Sequence, residues 1–414
     1  MVAAEVQTVM AGAARGDVTP RAPVMLMGYA ARASSGPSTN AAQRLHARAL
    51  ALGEGEHTAV VVAVDQCILP GAITDELRRR LREKAGLGTA MVAFTVTHTH
   101  SAPCLTGAAP NILGRSFTAA EQAGIDAYTR FFVDSVERAV LEALKDRRPS
   151  HVAWGQGRVG FARNRRTAGG PVDHDLPVLR VTSPDGTLRA AWANYACHCT
   201  TMRGELNASH GDWAGVAAMD VEASAPGAVA LVSIGCGADA NPDPRGSVAL
   251  AEQHGRSLAA EMRRLMALPL APLGAVDAAT METVELPFRR HFTREEWEKR
   301  AATPGIVGHH ARRWLERIER GEAPSPTLPY PVQTWAFSTN LAVVFLGGEV
   351  VVDYALRLKH ELDGRRLWVT AYANDVPGYI PSRRILAEGG YEAETSLWYY
   401  DRPQQFDPAM EEKV

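Results

Sequence analysis

Apolar residues recur along this chain in two rhythms. Short runs rich in β-branched residues, Thr58 to Val64, Met91 to Thr97, Leu188 to Tyr195, Ala228 to Ile234, Leu341 to Leu346 and Leu367 to Tyr372, read as strands. Between several of them the spacing changes to the helical period. Thr74 to Ala85 runs amphipathically into Gly86, a residue suited to ending a helix. Thr118-Ala-Ala-Glu121 is a capping box ahead of a long helix reaching about Lys145, and Thr293-Arg-Glu-Glu296 is another. Alternation of this kind predicts an α/β fold: a layered core with a mixed or parallel β-sheet, flanked by helices.

Residues 265–340 interrupt the alternation. They are rich in Pro and charge and end in Pro324-Ser-Pro-Thr-Leu-Pro-Tyr-Pro331, so they read as an insertion that packs on the core and returns to it by an extended connection. Residues 1–402 otherwise read as a single domain, and 403–414 as a polar tail on the surface. The chain has 414 residues, with 44 Lys+Arg against 46 Asp+Glu and a net charge of −2. Such a balance gives no polybasic surface, which removes the usual driver of nucleic-acid or anionic-membrane binding. No apolar run approaches the ~20 residues that cross a bilayer, and Met1 to Pro20 lacks the features of a signal peptide. The expectation is a soluble, cytoplasmic protein. Its five cysteines, Cys67, Cys104, Cys197, Cys199 and Cys236, are scattered without a CxxC and read as core-filling residues.

The chemistry sits at the ends of the strands. Asp65 follows Val61-Val-Ala-Val64, His98 and His100 follow Ala93-Phe-Thr-Val96, and His198 follows Ala193-Asn-Tyr-Ala196. Asp239 and Asn241 come after Leu231-Val-Ser-Ile234, and Glu349 after Val343-Val-Phe-Leu346. Ligand crevices in open α/β sheets lie outside the carboxyl ends of the strands, so these residues are expected to converge. In an extended Thr97-His-Thr-His100, side chains alternate and the two histidines project to one face roughly 6.5–7 Å apart, close enough to share a metal. The alternative is a polar strand end with two solvated histidines. The same alternation turns Cys197 and Cys199 away from His198, so only the histidine would join the site. Asp212, in Ser209-His-Gly-Asp-Trp213, reads either as a carboxylate behind a metal ligand or as the cap of the next helix, and His210 as exposed. Gly235-Cys-Gly-Ala-Asp-Ala-Asn-Pro242 lacks a nucleotide-binding pattern; its glycines suggest a tight turn with amides free to hold an oxyanion.

With these elements assembled, the chain resembles the catalytic domain of the neutral/alkaline (non-lysosomal) ceramidase family, zinc-dependent amidases that split N-acylsphingosine. The resemblance runs from Gly12-Ala-Ala-Arg-Gly-Asp-Val-Thr-Pro20 to about Ser396. It takes in Met27-Gly-Tyr-Ala30, Leu45-His-Ala-Arg-Ala-Leu50, Val64-Asp65, Thr97-His-Thr-His-Ser-Ala-Pro103 and Arg163-Asn-Arg-Arg166. Asn194-Tyr-Ala-Cys-His198, Gly348-Glu349, Gly378-Tyr-Ile-Pro381 and Gly390-Tyr-Glu392 continue it in order. The resemblance implies Zn2+ held by His98, His100, His198, Glu349 and Tyr379, with the catalytic arginine at Arg163 and a second tyrosine at Tyr391. Two departures stand out. The family's serine falls where this chain has Asn241, and the β-sandwich domain that follows the catalytic one in bacterial and animal members has no room before residue 414.

The implied activity is a zinc hydrolase cleaving an amide, or an ester or lactone, with a metal-activated water, Arg163 and Tyr391 stabilising the oxyanion and Asn241 offering an amide donor. The alternatives are a catalytically silent member that binds a small ligand, a ceramide amidohydrolase proper, and an iron or manganese centre using the same donors. Arg163-Asn-Arg-Arg166 and Arg383-Arg384 either meet an anionic substrate group or make internal salt bridges. With no basic amphipathic helix or lipidation signal, the expected partner is a small polar substrate in preference to a sphingolipid, with no nucleic acid and no stable membrane insertion.

Overall fold

A computed structural model describes residues 8–414. Its main sheet is built from β1 (Val9–Asp17), β2 (His46–Leu52), β3 (Ala59–Val64), β4 (Val92–Val96), β5 (Arg148–Arg158), β6 (Asp175–Thr182), β7 (Leu188–Tyr195) and β8 (Val229–Ile234). Their spatial order is β8-β7-β6-β5-β1-β2-β3-β4, with Ala271–Leu273 added beside β5. The pairs β3–β4 and β7–β8 are parallel and the other pairs of that path antiparallel. The apolar runs are continuous because both faces of the sheet are covered. In β3, Val60, Val62 and Val64 enter one core and Ala59, Val61 and Ala63 another.

The first core lies under four helices: α1 (Gly71–Ala85), α2 (Ala119–Lys145), α3 (Asp212–Ser224) and α4 (Val248–Met266). Helix α1 stops at Gly86, which adopts the left-handed conformation at φ 67°, and α2 starts with both hydrogen bonds of the Thr118–Glu121 box. The second core lies under a smaller sheet of β9 (Ala278–Pro287), β10 (Thr327–Phe337), β11 (Leu341–Leu346) and β12 (Leu367–Thr370), in that order. Its Trp335, Phe345 and Trp368 pack against the main sheet, the Trp368 and Trp192 rings being 4.1 Å apart. The architecture is therefore helices on a mixed sheet on a second sheet, the α/β class expected.

Two segments differ from expectation. Residues 265–340 supply β9 and β10 of the second sheet, plus a helical hairpin, Arg294–Ala301 and Ile306–Glu319, with its own core of Trp297, Ala311 and Trp314. The proline-rich run is strand from Thr327 onward. Its Pro329 and Pro331 pair only with β9, because β11 begins to pair at Val332, so neither proline is needed as a donor to a second neighbour. The tail is also packed. Phe406 stacks on Phe288 at 4.8 Å, Met410 is buried, and Glu411 and Glu412 pair with Arg357. No helix among the described residues is long and apolar enough to cross a membrane.

Candidate active site

Strands β4 and β7 run in opposite senses, yet the segments that follow them meet. Thr99 and Cys199 form a parallel bridge, and the His100 amide donates to the Cys199 carbonyl at 3.3 Å. His98 is not extended: its φ of 53° places it in the left-handed region, a strain of order 1–3 kcal/mol for a non-glycine residue. A bend, rather than strand alternation, brings His98 and His100 together, their rings 4.7 Å apart and nearly perpendicular. His198 lies 4.7 Å from His98 and 5.8 Å from His100, ring to ring. Glu349 opens a two-residue strand paired in parallel with Tyr379–Ile380, opposite Tyr379 itself. Gly28, in the Met27-Gly-Tyr-Ala30 element, leaves the space for His100: a Cβ there would lie 2.5 Å from the imidazole.

The hydrogen bonds assign the histidine nitrogens. His98 Nδ1 donates to the Cys67 carbonyl (2.8 Å) and His198 Nδ1 to the Gly237 carbonyl (2.9 Å), leaving each Nε2 aimed inward. Both Nε2 atoms lie 3.1 Å from the same oxygen, Glu349 Oε2, and His100 Nε2 lies 3.1 Å from His98 Nε2. The Tyr379 hydroxyl is 3.3 Å from His198 Nε2. Lone pairs and a carboxylate thus converge where His98, His198 and Glu349 are buried and His100 half-buried, an arrangement that repels itself unless a cation or proton sits among them. Three imidazoles and one carboxylate suit a divalent transition-metal ion, so the donor set fits the metal implied by the resemblance.

Titration behaviour follows from this packing. Burial disfavours charge on every histidine of the cluster; at His98 the Glu349 carboxylate overcomes it and lifts the pKa to about 10. Burial and Arg165 hold His198 down to about 4, and burial with the two neighbouring imidazoles keeps His100 well below its usual value. Burial alone would raise Glu349, but His98 and His198 hold it well below the carboxylate range. The metal-free cluster therefore keeps one proton, on His98, until the pH rises through about 10. Loading a divalent cation below about pH 7, before a metal-bound water ionises, is expected to release that proton. Calorimetric titration in buffers of different ionisation enthalpy measures it; proton-free loading in that range would show that His98 is already neutral.

Arg165 also reaches the cluster. Its Nη2 donates to the Tyr379 hydroxyl at 3.0 Å, its Nη1 lies 3.4 Å from His198 Nε2, and its Nε donates to Glu392 at 2.9 Å. Tyr391 packs beside it, ring 5.3 Å from Tyr379 and 5.5 Å from the Arg165 guanidinium carbon. Asn241 accepts from the Thr200 hydroxyl at 3.2 Å through Oδ1. Arg165, Tyr391 and Asn241 line one side of a cavity of about 680 Å³, with Arg166 and Glu388 at its rim.

A protein-family model, the neutral/alkaline non-lysosomal ceramidase N-terminal domain, matches residues 9–235, more than half of the chain. This chain belongs to the neutral/alkaline non-lysosomal ceramidase family. It is accordingly a hydrolase of amide bonds, on the fold of that family. Two solved structures are similar to it at 19% identity: a ceramidase complexed with C2, with a TM-score of 0.74, and a neutral ceramidase from Pseudomonas aeruginosa, with a TM-score of 0.75. Each match covers 98% of this chain, and 73% and 72% of the other. No curated protein matches it.

For this ceramidase-family chain the structure redraws several expectations about individual residues. Arg163, expected as the catalytic arginine, is exposed, and its Nη1 is occupied by the carbonyls of Gly160 (2.6 Å) and Ala162 (2.9 Å); Arg165 stands at the cluster instead. Asp65 does not converge on the site. It pairs with the buried Arg48, which also holds Glu222. Asp239 braces the site from outside, accepting from Val352 N and Asn164 Nδ2. Asp212 is the first residue of α3, and its carboxylate takes the Met202 and Trp213 amides. His210 is buried, because its backbone pins Thr99 and Ser101 in place. In the Gly235–Pro242 turn the Gly235, Gly237, Ala238 and Ala240 amides are satisfied within the protein, and the turn contributes the Gly237 carbonyl that orients His198. Tyr400, unforeseen in sequence, donates to Glu349 Oε1, and the Tyr372 ring packs against His98 at 4.5 Å, tilted by 37°. All five cysteines are buried and free.

Proposed function

We propose that this chain is a zinc-dependent amidase, with His98, His100, His198, Glu349 and Tyr379 as the residues that would hold the ion. The observation that carries the reading is the single Glu349 oxygen 3.1 Å from two imidazole nitrogens whose other nitrogens are committed to carbonyls. When bound, zinc supplies Lewis acidity and lowers the pKa of water toward ~7. The chain's own groups do the rest. Arg165 is held rigidly by Glu392 and Tyr379, with its charge set close to where an oxyanion would form. Tyr391 is 43% exposed and its hydroxyl, protonated at neutral pH like an ordinary tyrosine, is a donor facing the same cavity. With its Oδ1 taken by Thr200, Asn241 presents its amide N–H where the family has a hydroxyl.

The substrate we propose is a small, soluble N-acyl compound. The cavity at the mouth is lined by charged and amide groups, a poor match for a long alkyl chain. Its arginines do not by themselves call for an anion: Arg166 pairs with Glu388 and Glu392, Arg384 with Asp353 and Glu388, and Arg383 with Glu412. Metal analysis of untagged protein, followed by assay against short-chain fluorescent ceramide and a panel of soluble N-acyl amino compounds, tests the reading. Stoichiometric zinc and chelator-sensitive turnover of the soluble panel are expected. Efficient, saturable ceramide turnover with none on the panel would replace the substrate assignment, and an absence of any metal would end the zinc assignment.

A further inference from the structure

A second cavity, of about 310 Å³, lies where the helical hairpin meets the C-terminal segment, with Phe292, Arg300, Leu397, Trp398 and Arg402 among its walls. It shares with the catalytic cavity only the backbone segment between them: Tyr391 faces one, Leu397 and Trp398 the other. Its two arginines set it apart. Most buried or half-buried guanidinium groups elsewhere in the chain have a carboxylate, as Arg48 has Asp65 and Glu222, Arg165 has Glu392, and Arg189 has Asp146. Among the described residues, Arg300 and Arg402 make no ion pair. The Arg300 guanidinium is stacked 4.6 Å over Phe292 and 5.7 Å over Trp398, and its buried Nε has no hydrogen-bond partner. Arg402 spends its Nε on the Pro377 carbonyl at 2.7 Å, which leaves both terminal nitrogens without an acceptor.

The carboxylates nearby are committed or weakly placed. Asp401 is held by Arg313, Arg317 and Asn111, and Asp375 accepts from the Gly71 amide. Glu394 also lines the cavity, with its side chain exposed to solvent. Two half-buried cations without a carboxylate partner facing one small cavity are stabilised by an anion between them, through charge-assisted hydrogen bonds. Phe292, Leu397 and Trp398 give the same cavity apolar and aromatic walls, which suit a flat apolar body attached to that anion. Two further amide side chains, Gln404 and Gln405, border the same space.

We propose that this cavity is a binding site for a small organic carboxylate with a flat apolar body, separate from the catalytic cavity. Calorimetric titration of the metal-loaded 414-residue chain with benzoate, and in parallel with inorganic phosphate, tests it. Saturable one-to-one benzoate binding with a Kd below ~10 mM is expected, within reach of a ligand of this size. Arg300→Gln and Gln404→Glu should each weaken it roughly tenfold or more, by removing a cation or adding a repelling charge. Arg365→Gln, at a position whose side chain is 93% exposed, should not change it. Should Arg300→Gln fail to fold, judged by circular dichroism, Gln404→Glu decides the matter alone. The proposal is overturned by undetectable benzoate binding, by equal affinity for inorganic phosphate, or by binding that survives both cavity substitutions. Loss of binding in His98→Ala with retention in Arg300→Gln and Gln404→Glu would place the carboxylate at the catalytic cluster and overturn it equally.

Discussion

Glu349→Gln is expected to strip the protein of bound metal and of hydrolytic activity while leaving the fold intact. The glutamine keeps the size of the side chain and its acceptor oxygen toward the Tyr400 hydroxyl, but removes the formal negative charge that His98 and His198 face at 3.1 Å. Breaking a buried charge pair by removing one partner costs about 3–5 kcal/mol. If the cation is that partner, its affinity falls by roughly 10²- to 10⁴-fold. Metal content after dialysis against a weak chelator, measured beside turnover, reads this directly. Retention of full occupancy by Glu349→Gln would mean that the carboxylate only orients the histidines from outside. Tyr400→Phe should have a smaller effect in the same direction, since it frees Glu349 Oε1 without removing charge.

What the sequence revealed and what it concealed follow from the range of the interactions. Strands β3, β4, β7, β8 and β11 are legible because each is buried on both faces, so an unbroken apolar run is the only pattern that fits. The helix starts at Thr118 and Thr293 are legible because a capping box is a contact within four residues. The three histidines were visible as strand-end residues, although the left-handed turn at His98 was not: nothing local in Thr97-His-Thr-His100 announces it, and the bend depends on the distant Cys67 carbonyl and the pairing with Cys199. Tyr400 had no signal at all, being one aromatic residue in the run Trp398-Tyr-Tyr400 whose partner lies 51 positions away. The proline-rich run before Pro331 misled for a different reason, since a strand with a neighbour on only one side there tolerates prolines that a central strand would reject.

The arginine motif is the sharpest case, and it yields the second large expected effect. Arg163-Asn-Arg-Arg166 offers three guanidinium groups within four residues, and choosing among them requires knowing where the short strand Ala162–Asn164 ends. It ends before Arg165, whose amide turns to the Asp239 carbonyl at 2.8 Å, and the change of direction sends Arg165 toward Tyr379 while Arg163 folds back on Gly160 and Ala162. Arg165→Gln is therefore expected to lower kcat by roughly 10²–10³-fold, the loss typical of one preorganised oxyanion donor, with metal content retained because Arg165 supplies no ligand atom of its own and, among the ligands, only touches the Tyr379 hydroxyl and His198 Nε2. Arg163→Gln should stay within roughly twofold of the native rate, as exposed substitutions generally do. Arg165 also neutralises Glu392, so its variant needs a stability control: Glu392→Gln breaks the same ion pair and leaves the guanidinium in place. If Arg165→Gln loses activity only as much as Glu392→Gln does, the arginine is a structural tie. If Arg163→Gln loses the larger share, the oxyanion site lies on the other side of the strand and the assignment of Arg165 falls.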